Sequence, residues 1–489
     1  MYLGIDLGTS GVKALLIDDA QTVIGSAHGE LDVSRPPHPG WSEQDPPAHW
    51  IDACRTAIDG LRTAHPKEFS AIAGIGLSGQ MHGATLLDER DQVLRPCILW
   101  NDTRSYREAA ALDADPAFRA ITGNIVFPGF TAPKIVWVAN NEPDIFARTR
   151  KVLLPKDYLR LWLTGEYVSD MSDSAGTSWL DTGARRWSRE LLDKTGLDES
   201  RMPRLAEGTD ATGRLRAELA AEWGGVAGLP VVAGGAGDNA ASACGMGTVK
   251  PGHAFVSLGT SGVLFAANGA YQPKPESAVH AFCHALPDTW HQMGVILSAA
   301  SALDWYARLV GKTAHELDRE LGDRLNAPGS TTFLPYLSGE RTPYNDAKIR
   351  GVFSGLEHES DQRALTQAVL EGVAFAIRDN LAALQSAGTE ISSLTAVGGG
   401  SRSTYWLKAI ATALNVPIAL PEEGDFGAAF GAARLGLIAA TGVDPLAVCT
   451  PPRTERTIEP EAALTPPAYE EAYQRYRAHY PALHALAGQ

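Results

Sequence analysis

A six-residue segment near the N-terminus recurs about half a chain later. Leu7-Gly-Thr-Ser-Gly-Val12 is repeated without change at Leu258–Val263 in a chain of 489 residues. An identity between such distant segments indicates an internal duplication, and a duplicated chain is expected to fold into two similar units. In both copies short apolar runs flank a glycine-containing turn, which is the pattern of a β-hairpin. We therefore predict two related lobes, each presenting a Gly-Thr-Ser-Gly hairpin.

The hairpin tips are suited to holding phosphate groups. Gly8 and Gly11 let the backbone approach a ligand without an intervening side chain, and backbone N–H groups of such turns bind phosphate oxygens. Only the first copy carries a carboxylate, because Ser257 replaces Asp6 in the second. Mg²⁺ prefers oxygen ligands such as carboxylates. Asp6 is therefore a predicted Mg²⁺ ligand, and an ordinary tight turn is the alternative.

The bulk properties exclude several classes of partner. The formal net charge of −15 disfavours nucleic acid and anionic membrane surfaces as partners. The five cysteines are scattered without a CxxC pair, which is typical of a reducing cytoplasm without structural zinc or disulfides. An apolar strand follows Met1 directly, which argues against a signal peptide. No apolar run is long enough for a transmembrane helix, so we expect a cytoplasmic protein.

Two later segments combine a buried strand, a glycine turn and a helix. In one of them Asp238 stands at the helix N-terminus, where it is either a capping residue or a functional carboxylate. In the other, Gly398-Gly-Gly400 precedes a helix that begins near Thr404. Such a turn is a ready site for a nucleotide, with a bare glycine turn as the alternative.

Other patterns predict local structure only. Gly74–Gly79 matches the dinucleotide-binding fingerprint, but a strand rather than a helix follows it, which disfavours an oxidoreductase. Apolar spacing predicts helices over 295–308 and 361–384, a strand over 333–337 and a terminal helix over 468–486.

These motifs together resemble the FGGY family of carbohydrate kinases over roughly residues 1–440. The resemblance rests on Gly4–Lys13, Trp41–Pro46, Gly79–Gly83, Leu99–Asp102, Gly129–Lys134, Gly237–Asn239, Leu258–Gly262, Tyr336–Pro343 and Gly398–Gly400. The family belongs to the actin-like, ribonuclease-H-like α/β ATPases, which implies two lobes across a catalytic cleft. It implies an N-terminal sugar-binding lobe over 1–244 that ends at the catalytic base, and a C-terminal ATP-binding lobe over 245–440. Residues 441–489 are then a linker and a terminal helix.

The resemblance also implies a role for each matching residue. Asp238 would be the general base and, with Asp6, would hold Mg²⁺. Contacts with ATP would come from Thr9, Ser10, Lys13, Gly259, Thr260, Gly399, Gly400 and Ser401. Contacts with the sugar would come from Met81, His82, Gln80, Trp41, Asn101, Asp102 and Asn239. The turn before Asp238 is one residue longer than in many relatives.

The pair Met81-His82 is most similar to the members of the family that phosphorylate D-xylulose, since those acting on glycerol carry an arginine–glutamate pair there. The expected substrates are therefore ATP and D-xylulose, phosphorylated at O5. Kinases of ribulose, gluconate or a polyol such as glycerol stay open, as does an actin-like ATP-switch protein. The oligomeric state is also open, with a homodimer as one candidate.

Overall fold

The computed structural model describes residues 1–31, 38–464 and 467–487. The segment predicted as linker and terminal helix, 441–489, thus lies outside the described residues at 465–466 and 488–489. The strands are β1 Tyr2–Leu7, β2 Gly11–Ile17, β3 Val23–Glu30, β4 Glu43–Gln44, β5 Gly74–Gly79, β6 Thr85–Leu87, β7 Cys97–Ile98, β8 Lys151–Leu153, β9 Val168–Asp170, β10 Leu180–Asp181, β11 Arg186–Trp187, β12 Arg204–Ala206, β13 Ala211–Arg214, β14 Val231–Ala233, β15 Ala236–Gly237, β16 His253–Leu258, β17 Gly262–Asn268, β18 His280–Cys283, β19 Trp290–Ile296, β20 Thr332–Leu334, β21 Val352–Ser354, β22 Ser393–Val397, β23 Ile418–Pro421 and β24 Thr454–Ile458.

The helices are α1 Asp52–Ala64, α2 Pro66–Ser70, α3 Tyr106–Asp113, α4 Pro116–Thr122, α5 Thr131–Asn141, α6 Pro143–Arg148, α7 Pro155–Thr164, α8 Met171–Ser174, α9 Arg189–Lys194, α10 Ala217–Glu222, α11 Asp238–Met246, α12 Ala300–Leu309, α13 Ala314–Leu321, α14 Gln362–Ser386, α15 Thr404–Leu414, α16 Ala428–Thr441, α17 Pro445–Val448 and α18 Ala468–Ala487. Within the described ranges, every helix is too short or too polar to cross a membrane.

Each lobe is built on a mixed seven-stranded sheet. The first has the order β13-β14-β5-β1-β2-β3, with β15 also paired to β5, and the second has the order β18-β19-β17-β16-β22-β23-β24. Six strands of each sheet share one order: three antiparallel strands (β3-β2-β1 and β19-β17-β16), then two parallel strands (β5-β14 and β22-β23), then one antiparallel strand (β13 and β24). The seventh strand differs, because β15 pairs parallel with β5 in the first sheet and β18 pairs antiparallel with β19 in the second. This shared order is the structural counterpart of the sequence repeat. It confirms the predicted α/β fold with two related lobes.

Helix α16 follows β23 of the second sheet in the chain but packs on the first sheet. A Cβ added to Gly76 in β5 would overlap with the carbonyl oxygen of Ala432 in α16. A Cβ added to Gly431 in α16 would overlap with the carbonyl oxygen of Ala241 in α11. Glycine is therefore required for the close contact of α16 with both the first sheet and α11.

The helix predicted over 361–384 is confirmed as α14, whose first turn is capped by Asp361, which accepts from Ala364 N over 2.8 Å. The start of the helix predicted over 295–308 is wrong. Strand β19 continues to Ile296, which pairs with Gly262 of β17, so that α12 begins only at Ala300. Sheet pairing overrides the apolar spacing there.

The terminal helix α18 packs on the second lobe. The buried hydroxyls of Tyr476 and Tyr336 are 2.9 Å apart. Further along the helix, Tyr480 stacks on Tyr344 with ring centroids 3.6 Å apart, and its hydroxyl donates to Asp346 Oδ2 over 3.2 Å. The helix therefore supports the loop 338–346, which is part of none of the sheets formed by the described residues.

Candidate active site

The two carboxylates predicted at the catalytic centre lie at one edge of the first sheet. Strand β5 runs between β1 and β15 and is parallel to both, and its Ser78 is in register with Asp6 on one side and with Ala236 on the other. Asp238 follows β15 directly as the first residue of α11. Since parallel strands end at the same edge of a sheet, Asp6 and Asp238 lie close together.

Burial and mutual repulsion perturb both carboxyl groups. Burial raises the pKa of Asp6, and its Oδ1 is shielded from solvent with no hydrogen-bond partner among the described residues. Burial, followed by the charge of Asp6, raises the pKa of Asp238 to about 6. A divalent cation would relieve this repulsion, so the pair fits a metal site.

A Mg²⁺ ion at this place would not be enclosed by protein alone. The described part of the chain holds no group of three or more His, Cys, Asp or Glu side chains placed for a metal ion. Mg²⁺ in nucleotide sites is usually held by one or two carboxylates, with phosphates and water completing its shell. Asp6 and Asp238 match that ligand number.

Asn239 fixes the orientation of the Asp238 carboxylate. Its backbone N–H donates to Asp238 Oδ1 over 2.7 Å, and its side-chain Nδ2 donates to the same oxygen over 3.0 Å. No group in residues 1–31, 38–464 or 467–487 hydrogen-bonds to Oδ2. Asn239, predicted as a sugar contact, therefore uses its side chain on Asp238 and leaves Oδ2 available to a ligand.

A fully buried ion cluster lies behind this position. Lys156 Nζ is 2.6, 2.8 and 3.4 Å from the carboxylates of Asp157, Asp170 and Asp173. Ser172 Oγ donates to Asp170 Oδ2 over 2.5 Å and accepts from the backbone N–H of Gly237 over 3.1 Å. The residue just before Asp238 is thus tied to the buried cluster.

The first hairpin turn is held by glutamine side chains. Thr9 Oγ1 donates to Gln80 Oε1 over 3.3 Å, and Gln44 Nε2 donates to Thr9 O over 2.7 Å. Gln80 Nε2 in turn donates to Gln44 Oε1 over 3.1 Å. Gln80, predicted to contact the sugar, is 2 % exposed and supports the hairpin turn instead of presenting a free amide. Ser10 at the tip is exposed.

Both carboxylate oxygens of Asp102 accept hydrogen bonds from other residues of the chain. Its Oδ2 accepts from Ser42 N over 2.6 Å and from Arg104 Nη2 over 2.6 Å, and its Oδ1 accepts from Arg104 Nε over 2.9 Å. The guanidinium of Arg104 lies 3.7 Å from the ring centroid of half-buried Trp41. Asp102, predicted as a sugar contact, therefore positions Trp41 through Arg104. Asn101 is exposed on the same loop.

One ring nitrogen of His82 has no hydrogen-bond partner among the residues that the structure describes. Its Nδ1 lies 2.7 Å from Gly176 O, and because a carbonyl only accepts, Nδ1 carries the hydrogen. Burial, followed by the charge of Lys134, lowers the pKa of His82 to about 3, so the ring is neutral and Nε2 is an acceptor. The ring stacks on Phe130 with centroids 4.5 Å apart.

Met81 links His82 to the catalytic strand. A Cβ added to Gly237 would lie 3.0 Å from Met81 Cγ, and one added to Gly176 would lie 3.0 Å from Met81 Cε. Met81 therefore fills the space between the residue before Asp238 and the backbone that orients His82. These residues form one continuous wall.

The second hairpin lies beside the predicted nucleotide turn. Strands β16 and β22 are parallel, with Ser257 opposite Val397, so the Gly259-Thr260 turn adjoins Gly398. A cavity of about 540 Å³ is lined by Gly398 and Ser401, among others. Gly399 and Gly400 form the 3₁₀ turn between them. This volume is typical of a small-molecule site.

The structure explains one predicted feature of this cavity and adds one that was missed in the sequence. Gly398 has φ of 90°, and a Cβ there would lie 2.9 Å from Leu258 O, so this position requires glycine. The loop 422–427 forms another wall of the cavity, and its Asp425 forms an ion pair with Lys13 of the first hairpin. A glycine turn before a small-residue helix, the pattern that drew attention to Asp238, was the available signal for this loop.

Comparisons with known proteins identify the family. The N-terminal domain of the FGGY family of carbohydrate kinases matches residues 1–245, and the C-terminal domain of that family matches residues 254–440. The chain is 50 % identical to a xylulose kinase of Escherichia coli strain K12 over 90 % of both chains. The solved structure of a xyloylose kinase from Brucella ovis is 84 % identical, covers 99 % of both chains and superposes with a TM-score of 0.98. That of a xylulose kinase from Rhodospirillum rubrum is 30 % identical over 100 % of both chains, with a TM-score of 0.92.

Proposed function

The chain belongs to the FGGY family of carbohydrate kinases, and we propose that it transfers the γ-phosphoryl group of ATP to O5 of D-xylulose. The observation that carries the proposal is Asp238, a partly buried carboxylate with one free oxygen beside the Met81-His82 wall. The naming of the E. coli and R. rubrum relatives as xylulose kinases supports the choice of sugar. We assign the sugar to the lobe 1–244 and ATP to the lobe 245–440.

Asp238 acts as the general base for the attacking hydroxyl. With a pKa of about 6 it is mostly ionised at neutral pH, yet basic enough to draw a proton as the hydroxyl attacks. Asn239 holds Oδ1, so Oδ2 receives the proton. General-base assistance of this kind contributes roughly 10²–10⁴ in rate.

The wall beside the base selects the sugar. His82 Nε2 accepts a hydrogen bond from a sugar hydroxyl, because its other nitrogen is committed to Gly176. Met81 supplies an apolar surface, and Trp41 supplies an aromatic face held by Arg104. These contacts orient the hydroxyl toward Asp238 and exclude water that would otherwise consume ATP.

The hairpins and the cavity bind ATP. Backbone N–H groups of the two turns, with Thr9, Ser10, Lys13, Gly259 and Thr260, surround the β- and γ-phosphates. The adenosine occupies the cavity at Gly398–Ser401. When bound, Mg²⁺ held by Asp6 and Asp238 supplies charge neutralisation at the phosphates.

The test is ADP release in a coupled assay with D-xylulose, D-ribulose and glycerol, using the wild-type chain and Asp238→Asn. We expect the highest kcat/KM with D-xylulose, and a loss of about 10²–10⁴ in kcat for Asp238→Asn with sugar binding retained. Preference for another sugar would replace the substrate assignment. ATP turnover that no sugar stimulates would indicate an ATP-switch protein, and near-normal kcat in Asp238→Asn would exclude Asp238 as the base.

A further inference from the structure

Arg341 belongs to the second lobe but reaches the aromatic residues around His82. Its guanidinium carbon lies 4.7 Å from the ring centroid of Phe127. The Phe127 ring is 5.5 Å from Phe130, which stacks on His82. Burial is the main reason for the low pKa of His82, and the charge of Arg341 adds to it. Arg341 therefore lies at the His82 end of the wall formed by Met81 and His82.

The charge of Arg341 has no counter-ion in the part of the chain that the structure describes. Among the described residues, no carboxylate lies within ion-pair distance of its guanidinium and no acceptor takes a hydrogen bond from it. The neighbouring Glu340 is 3 % exposed, and burial raises its pKa to about 8, so that it is largely neutral at pH 7. Arg341 is half-buried against the Phe127 ring without a counter-ion, and the oxygen atoms of a ligand would accept hydrogen bonds from its guanidinium.

The loop that carries Arg341 is firmly anchored. Glu340 Oε1 accepts from Leu297 N over 3.2 Å, beyond the end of β19. Thr342 donates from its backbone N–H to Val295 O over 3.1 Å and from Oγ1 to Ala278 O over 2.9 Å. On its other side the loop is supported by α18. The direction of the Arg341 side chain is thus set by the second lobe.

We propose that Arg341 is a sugar-binding residue contributed by the second lobe, and that it donates to the ketose oxygens remote from the phosphorylated hydroxyl. The inference rests on the proposed function. The series of side-chain contacts supports this orientation of the sugar. It begins beside Asp238 and passes through Met81, His82 and Phe130 before it reaches Phe127 and Arg341. The sugar site is then complete only when both lobes contribute.

The test compares wild type, Arg341→Gln and a control, Lys348→Gln, which removes one positive charge at an exposed position nearby. For Arg341→Gln we expect KM for D-xylulose to rise about 10- to 100-fold, with KM for ATP changed less than about twofold. Lys348→Gln should behave as wild type. An unchanged KM for D-xylulose, or an equal rise in both KM values, would overturn the proposal.

A second substrate locates the contact. Wild type should bind the D-xylulose analogue that lacks the O1 hydroxyl more weakly than D-xylulose. Arg341→Gln should show a smaller difference between the two sugars, because the variant already lacks the hydrogen bond between Arg341 and O1. Additive losses would place Arg341 away from that end of the sugar. If Arg341→Gln does not fold, Arg341→Met, which also removes the charge and the donors, gives the same comparison. Wild type that phosphorylates no ketose would refute the proposed function, whereas a normal wild type beside unaffected Arg341 variants would refute only this inference.

Discussion

The substitution Asn239→Ala tests how the base is tuned. Asn239 Nδ2 donates to Asp238 Oδ1 over 3.0 Å, and this bond stabilises the ionised carboxylate. Its removal favours the protonated form and raises the pKa of Asp238. Because the base must be ionised to accept a proton, activity is lost as the pH falls through this pKa. We therefore expect the acid limb of the pH profile to move to higher pH.

The size of the shift follows from the hydrogen bonds. A bond to a charged group contributes about 1.5–3 kcal/mol, and about 1.4 kcal/mol corresponds to one pKa unit. Asp238 is only partly buried and keeps the bond from the Asn239 backbone, so water recovers some of the loss. We therefore expect the pKa of Asp238 to rise by about one unit, which moves the midpoint of the acid limb from about pH 6 to about pH 7.

The measurement is kcat/KM for D-xylulose between about pH 5 and 9 at sub-saturating ATP, since this ratio reports groups of the free enzyme. Asn140→Ala, an equivalent truncation in α5 at a site whose hydrogen bond is exposed, is the control and should leave the limb unmoved. A limb that stays in place or moves to lower pH in Asn239→Ala would refute the assignment of Asp238 as the tuned base.

Three further predictions concern packing and charge. Gly431→Ala forces α16 away from Ala241 of α11 and should lower the free energy of unfolding by about 1–3 kcal/mol, so an unchanged denaturation midpoint would disprove the close contact. Lys156→Met strands three buried carboxylates and should cost about 3–5 kcal/mol in chemical denaturation at pH 7, whereas wild-type stability would show the cluster to be dispensable. Asp425→Asn releases Lys13 from its ion pair and should lower KM for ATP about two- to fivefold, whereas a higher KM would mean that Asp425 itself binds the nucleotide.

The fold was accessible from the sequence because duplication leaves a local trace. The repeated hairpin identified β1–β2 and β16–β17, and six strands follow the same order in each sheet. Asp238 was accessible for a similar reason, since a strand, a glycine turn and a helix are adjacent in the chain. The start of α12 was not, because Ile296 is held by a strand more than 30 residues away.

The engagement of polar side chains depends on partners that are distant in sequence. Gln80 meets Thr9 across 71 residues, and Asp102 meets Ser42 across 60. The family resemblance implies that Gln80 and Asp102 contact the sugar, whereas their hydrogen bonds to the hairpin turn and to Arg104 are visible only in the folded chain. Arg341 is the converse case, because its position beside Phe127 of the first lobe is visible only when the lobes are brought together.

The position of α18 has a thermodynamic consequence for sugar binding. The helix holds the loop 338–346 through Tyr480, and that loop carries Arg341. Local opening of α18 would release the loop while both large sheets stay folded. The coupling between the two processes is reciprocal. If an anchored Arg341 increases the affinity for the sugar, the bound sugar increases the free energy of opening of α18 by the same amount. The amide hydrogens of the last helix should therefore exchange more slowly when the sugar is bound, although they lie outside the site itself.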